Sequence, residues 1–157
     1  MKKALRVSLA TTIILIFSAV LLCGCGNMSG SEPDITADYL IEEYTQQLIT
    51  DGAETMNGSI VMTKSGETYG LDFAELDVVP SSYDDDGYYL ANTNIYKTAT
   101  LGADARIVLL EDDVPVVSNI DELIDENDDE TLYSVYFLGS SAELIIELDP
   151  ENMVLGE

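Results

Sequence analysis

The chain has 157 residues, enough for one domain with appendages. It carries 30 acidic residues against six basic ones, and three of those six (Lys2, Lys3, Arg6) stand at the extreme N-terminus, so the part from Cys25 onward has a net charge of −27. That balance excludes nucleic-acid binding, which needs Lys and Arg to neutralise phosphates, and electrostatic adhesion to an anionic bilayer; 46% hydrophobic residues exclude a wholly disordered acidic chain.

Met1–Arg6 is a short positive segment, and Val7–Leu22 follows with sixteen uncharged residues. This is short of the roughly 20 apolar residues that span a bilayer. With small residues at its exit it reads as a secretory signal peptide rather than a permanent anchor helix. Both cysteines lie just beyond, in LLCGCG, residues 21–26. Leu22-Cys23-Gly24-Cys25 resembles the lipobox of bacterial lipoproteins, with an aliphatic residue at −3, a small residue at −1 and then the modified Cys. Cys25 fits as the lipid attachment site, with cleavage between Gly24 and Cys25. Cys23 fits poorly, because Leu22 would then occupy the small −1 position. The departure is Cys23 itself at −2, where Ala, Ser or Thr is commoner. The resemblance implies diacylglycerol transfer to the Cys25 thiol and a protein held at the bacterial cell membrane, outside the cytoplasm, by its acyl chains. Palmitate labelling is expected there. Two chains hold a protein stably where one does not. Loss of residues 1–24 removes Cys23 and leaves Cys25 as a thioether, so neither a disulfide nor thiolate chemistry remains.

Residues 25–33, mostly small and polar, read as a flexible tether. A single domain is expected over 34–157. Ile35–Asp51 has Ile35, Tyr39, Leu40, Tyr44, Leu48 and Ile49 at helical spacing, with Asp34 or Thr36 to cap it and Gly52 to stop it. Its apolar face is expected to dock on the domain. From Thr55 the period becomes two. Met56–Thr63 and Thr68–Leu76 form a predicted hairpin across Lys64-Ser65-Gly66-Glu67, with Tyr69, Leu71 and Phe73 on one face. Pro80–Gly87 reads as a loop, Tyr88–Tyr96 as a strand, and Ala105–Glu111 as a buried strand turned by Asp112-Asp113-Val114-Pro115. Ser118-Asn119-Ile120-Asp121 has the pattern of a capping box opening a short helix to about Glu126. Thr131–Leu138 and Ala142–Leu148 pair as a hairpin. The predicted fold is mainly β (α+β): a small curved sheet or barrel of five to six strands, with an N-terminal helix and one short inserted helix. Gly87–Asn92 followed by Ala103–Leu110 resembles a pattern in uncharacterised small β domains of secreted and lipid-anchored Gram-positive proteins, a likeness that carries no activity with it.

The acidic clusters fail as EF-hands. With Ser82, Asp84 and Asp86 at loop positions 1, 3 and 5, Gly87 falls correctly at 6, but Thr93 stands where the bidentate Glu belongs. With Asp125, Asn127 and Asp129 in those places, Glu130 replaces the Gly and Tyr136 the Glu. A less regular divalent-cation site built from clustered carboxylates stands as an alternative function. No His is present to activate a Ser, and three cations are too few for an oxyanion or phosphate clamp, so neither enzyme activity nor a cofactor is expected. Tyrosine supplies rigid contact area with a polar tip. Tyr83, Tyr88 and Tyr89 beside Asp84, Asp85 and Asp86 are therefore the candidate ligand-binding residues, with Tyr96 close by. The expected function is that of a lipid-anchored binding or accessory protein of the cell envelope, facing a protein, peptide or wall component. A structural spacer without a small-molecule ligand is the other alternative.

Overall fold

A computed structural model describes residues 35–128 and 131–154. The signal segment, Gly24, Cys25 and the tether lie outside the described residues. Among those described, no helix is long and apolar enough to cross a membrane.

The first element is a continuous helix in three parts: α1 (Ala37–Tyr39), a π-helical turn (Leu40–Tyr44) and α2 (Thr45–Thr50). Thr36 caps it, its hydroxyl accepting from the Tyr39 N–H at 3.2 Å, and Gly52 ends it at φ 92°. The wide turn adds a residue to the period, so burial falls on Ala37, Leu40, Thr45 and Leu48. Ile49 is thereby turned out to solvent, and Ile35, which precedes the Thr36 cap, is exposed as well, contrary to the regular spacing read from sequence. Thr45 tolerates its buried place because its hydroxyl donates to the Ile41 carbonyl at 2.6 Å and the Glu42 carbonyl at 3.2 Å.

Six strands follow: β1 (Glu54–Ser65), β2 (Thr68–Pro80), β3 (Tyr88–Glu111), β4 (Val114–Ser118), β5 (Leu132–Leu138) and β6 (Ser141–Leu148). Helix α3 (Ile120–Glu126) is inserted before β5, and α4 (Pro150–Val154) follows β6. β1, β2 and β3 form an antiparallel meander; β5 pairs antiparallel with both β1 and β6, and β6 runs parallel to β3. The ring β1–β2–β3–β6–β5 closes a five-stranded barrel, with β4 attached to the far end of β3. This order, with a parallel pair between the third and last ring strands and a helix leading into the fourth, is OB-type Greek-key connectivity.

Met56, Ile60, Leu71, Phe73, Val135 and Phe137 belong to the barrel core, to which Leu123 of α3 contributes. A second core lies outside the wall, where Leu40 and Leu48 pack with Val108, Leu144 and Ile146. That double coverage explains the unbroken apolar runs ARIVLL and ELIIEL, since Ile107, Leu109 and Ile145 face the barrel core while Val108, Leu144 and Ile146 meet the helix.

Besides the first helix, β2 runs on to Pro80 instead of ending at Leu76, the terminal helix α4 is not anticipated, and three more elements depart from the sequence expectation. β3 is one strand of 24 residues, not two strands with a gap over 97–104: 97–100 pair with β2, and the ladder with β6 slips at 102–105 and resumes at Arg106, while a further irregularity at 93–95 lies inside the first predicted strand. Val114 and Pro115 open β4 rather than belonging to the turn, which is made by Asp112 and Asp113 at φ 50° and 64°. The short helix is capped one residue later than read: Asn119 accepts from the Asp121 and Glu122 N–H groups, and the Glu122 carboxylate accepts from the Asn119 N–H. The α3 box thus runs Asn119–Glu122 instead of Ser118–Asp121, since the longer Glu side chain reaches back to the cap.

At the edge, the two-residue turn places Pro115 where its missing N–H faces away from β3, a position in which proline costs the sheet nothing. The Leu110 N–H also faces away from β4, and the Glu147 carboxylate accepts it at 3.0 Å where the β3–β6 ladder has ended.

Candidate functional site

The loop 81–87 is closed by its own backbone: the Ser81 N–H donates to the Gly87 carbonyl at 2.8 Å, and the Gly87 N–H to the Asp84 carbonyl at 3.1 Å. Gly87 turns back at φ 80°. This leaves Tyr83 98% exposed at the tip, with Asp84, Asp85 and Asp86 also exposed. The next two tyrosines part company by strand alternation. Tyr88, opposite Pro80, is half-buried, whereas Tyr89, opposite Val79, is 49% exposed. The six candidate residues are therefore not one surface: Tyr83 and the three Asp residues share the tip, Tyr89 lies on the arm below, and Tyr88 turns to the other side. A cleft of about 250 Å³ beside the tip is lined by Asp85, Asp86, Glu151 and Val154. Among the described residues, no group of three or more Asp, Glu, His or Cys is arranged to hold a metal ion.

Further along β3, three residues (93–95) stand against the single Glu75 of β2. The Asn92 side chain accepts from the Asn94 N–H at 2.7 Å and holds Asn94 at φ 64°, while the Thr93 hydroxyl donates to the Glu75 carboxylate at 2.7 Å. The two extra residues leave the alternation unchanged, so Tyr96, opposite Ala74, lies on the other face from Tyr89, opposite Val79, and is itself 65% exposed.

Tyr96 belongs to a flat lattice that only the register reveals. Ser59, Ala74 and Tyr96 stand in one row across β1, β2 and β3; Val61, Asp72 and Thr98 in the next; Thr63, Gly70 and Thr100 in the third. The intervening residues Ile60, Leu71, Phe73 and Ala99 are buried, so the nine point outward. Strand spacing and rise make the lattice about 10 Å across and about 13 Å along. Val61 is 54% exposed. Its single charge is Asp72, whose Oδ1 accepts from the Thr98 hydroxyl at 2.9 Å. Among the described residues nothing covers this face, whereas the α1–α2 helix covers the opposite wall.

The cations point elsewhere. Lys97 alternates inward between Tyr96 and Thr98, pairs with Glu54 at 2.5 Å, and sets its Nζ 4.3 Å from the Phe137 ring centroid. Phe137 in turn meets Phe73 edge-on at 5.5 Å. Lys64 lies 5.0 Å over the Tyr69 ring, and a hydrogen bond with Tyr69 holds its ammonium above the usual lysine value. On the covered wall, burial together with the charge of Glu143 pushes the Tyr44 hydroxyl up, with Arg106 opposing.

Tyr96 was legible as a neighbour of the candidate group. Val61, Asp72 and Thr98 were not: each is an ordinary polar-side position of a period-two strand, and their adjacency depends on register. Compared with family models, curated proteins and solved structures, the chain matches none.

Proposed function

We propose that this chain is a non-enzymatic, lipid-anchored binding protein of the bacterial cell envelope, held outside the cytoplasm through Cys25, and that it recognises its ligand on the lattice centred on Asp72 and Tyr96. The anchor rests on Leu22-Cys23-Gly24-Cys25 and the charge-free run before it. The binding role is carried by one observation: of the two outer walls of the barrel, one is buried under a helix while the other, with Val61 and Tyr96 exposed, is bare among the described residues. The OB-type connectivity is compatible with ligand binding on strands 2 and 3, but fold alone does not assign a ligand, and the charge excludes the oligonucleotides that other OB barrels take.

Two measurements test this. Cells fed a palmitate analogue label the wild type and not Cys25→Ser; label retained by the variant removes the anchor. A photo-crosslinking residue placed at position 61 or 96 is expected to trap one envelope species repeatedly, and the same residue at position 114 to trap none. Adducts from 114 equal to those from 61 and 96 would remove the face.

A further inference from the structure

We infer that the Asp72–Tyr96 lattice takes a cationic polypeptide, an extended segment bearing Lys or Arg; this deepens the binding role proposed above and rests on it. Complementarity of charge selects the class. From Cys25 onward thirty acidic residues face three basic ones, and none of the three lies on the lattice. Lys97 is turned inward onto Glu54 and Phe137, and Lys64 lies over Tyr69. One carboxylate and no cation on the lattice, in a chain so rich in acid, disfavours nucleic acid, anionic lipid and a second copy of the chain there.

Shape selects the side chain. Ser59, Gly70 and Ala74 make a low floor, with Val61 at one side and at the other Tyr96, whose hydroxyl donates to the Asn92 Oδ1 at 3.4 Å. Asp72 and Tyr96 are diagonal neighbours on adjacent strands, about 7–8 Å apart. A Lys or Arg laid across Ala74 therefore rests its aliphatic stem on the floor, meets the Tyr96 ring, and brings its charge to Asp72. The Asp72 carboxylate is already oriented by the Thr98 hydroxyl and has no cationic partner among the described residues. A bare divalent ion cannot use this arrangement, because one carboxylate with neighbouring hydroxyls falls short of the six to eight oxygens calcium requires.

The test uses the full-length chain in neutral detergent and fluorescently labelled deca-lysine, read by anisotropy at about 150 mM NaCl, where exposed charges are screened beyond about 8 Å. Asp72→Asn, which preserves shape, and Tyr96→Ala are each expected to weaken binding by about five- to tenfold. The double variant Asp85→Asn/Asp86→Asn removes twice the charge of Asp72→Asn but lies on the loop, and is expected to change affinity less than twofold. Thermal melting confirms that each variant is folded. A loop variant that loses as much as Asp72→Asn would overturn the inference, since attraction would then follow net charge alone. Complete displacement by spermine at equal charge would overturn it too, in favour of a small polyamine. Crosslinks from positions 61 and 96 that persist while deca-lysine ignores the face would remove the cationic class and leave the binding face standing.

Discussion

Gly58 has no room for a methyl group. A Cβ built on it would sit 2.0 Å from the Ala74 carbonyl oxygen and 2.7 Å from Cζ of Phe73, both from β2. The glycine lets β1 and β2 approach where Phe73 folds across β1 to meet Phe137. Gly58→Ala is therefore expected to cost about 3 kcal/mol or more, read by urea unfolding, since the obstacle is backbone and cannot rotate away. A loss under about 1 kcal/mol would mean that the strands separate easily here. In sequence Gly58 looks like a weak point in a strand; its reason lies in Phe73 and Ala74, fifteen and sixteen residues away. Leu71 and Phe73, by contrast, were legible as one inward face from alternation alone, and both are buried.

Among the elements, α3 shows how local chemistry sets a boundary. Asn119 and Glu122 satisfy each other's backbone groups, and hydrogen bonds from the Ser118 hydroxyl and from Asn119 hold the Glu122 carboxyl below its ordinary value of 4.5. Asn119→Ala is expected to cost about 1 kcal/mol. Because the folded value of Glu122 is depressed, its contribution is present above the unfolded value and disappears as pH falls through the depressed one. The stability gap between wild type and Glu122→Gln should then be constant at neutral pH and shrink below about pH 4.5; a gap that widens on acidification would contradict the cap. The helix before β1 teaches a different lesson. Its ends at Thr36 and Gly52 were legible because caps are local. Its buried face was not fully so: the π turn adds a residue that no regular period anticipates, which places Thr45 inside and leaves Ile49 outside. Likewise 97–104 reads in sequence as a gap between two strands, yet 97–100 pair with β2 and the β6 ladder, interrupted at 102–105, resumes at Arg106.

Across the whole molecule, self-repulsion works against compaction. A net charge of −27 on about 130 residues is opposed only by closure of the barrel and its two cores. Raising NaCl from about 10 mM to about 500 mM is expected to raise the melting temperature of the full chain by several degrees, as screening shortens from about 30 Å to a few ångströms. A melting temperature indifferent to salt would mean that the acidic groups lie too far apart to interact. The same charge discourages edge pairing at β4, where Val114 and Val117 are exposed and Pro115 removes an outward donor.

The sequence by itself determined what depends on neighbours along the chain: strand periods, the loop at 81–87, the helix stop at Gly52, the excess of negative charge and the classes of partner that charge forbids. Only the tertiary structure decided that the strands close into a ring, that β3 reaches both β2 and β6, and that, among the described residues, one wall is covered while the other is bare. These outcomes rest on pairings such as Met56 with Val135 and Val108 with Ile146. Such registers join residues dozens of positions apart and are selected by the fit of two packed cores, which no local pattern encodes. The lattice around Asp72 and Tyr96 exists only once those registers are set.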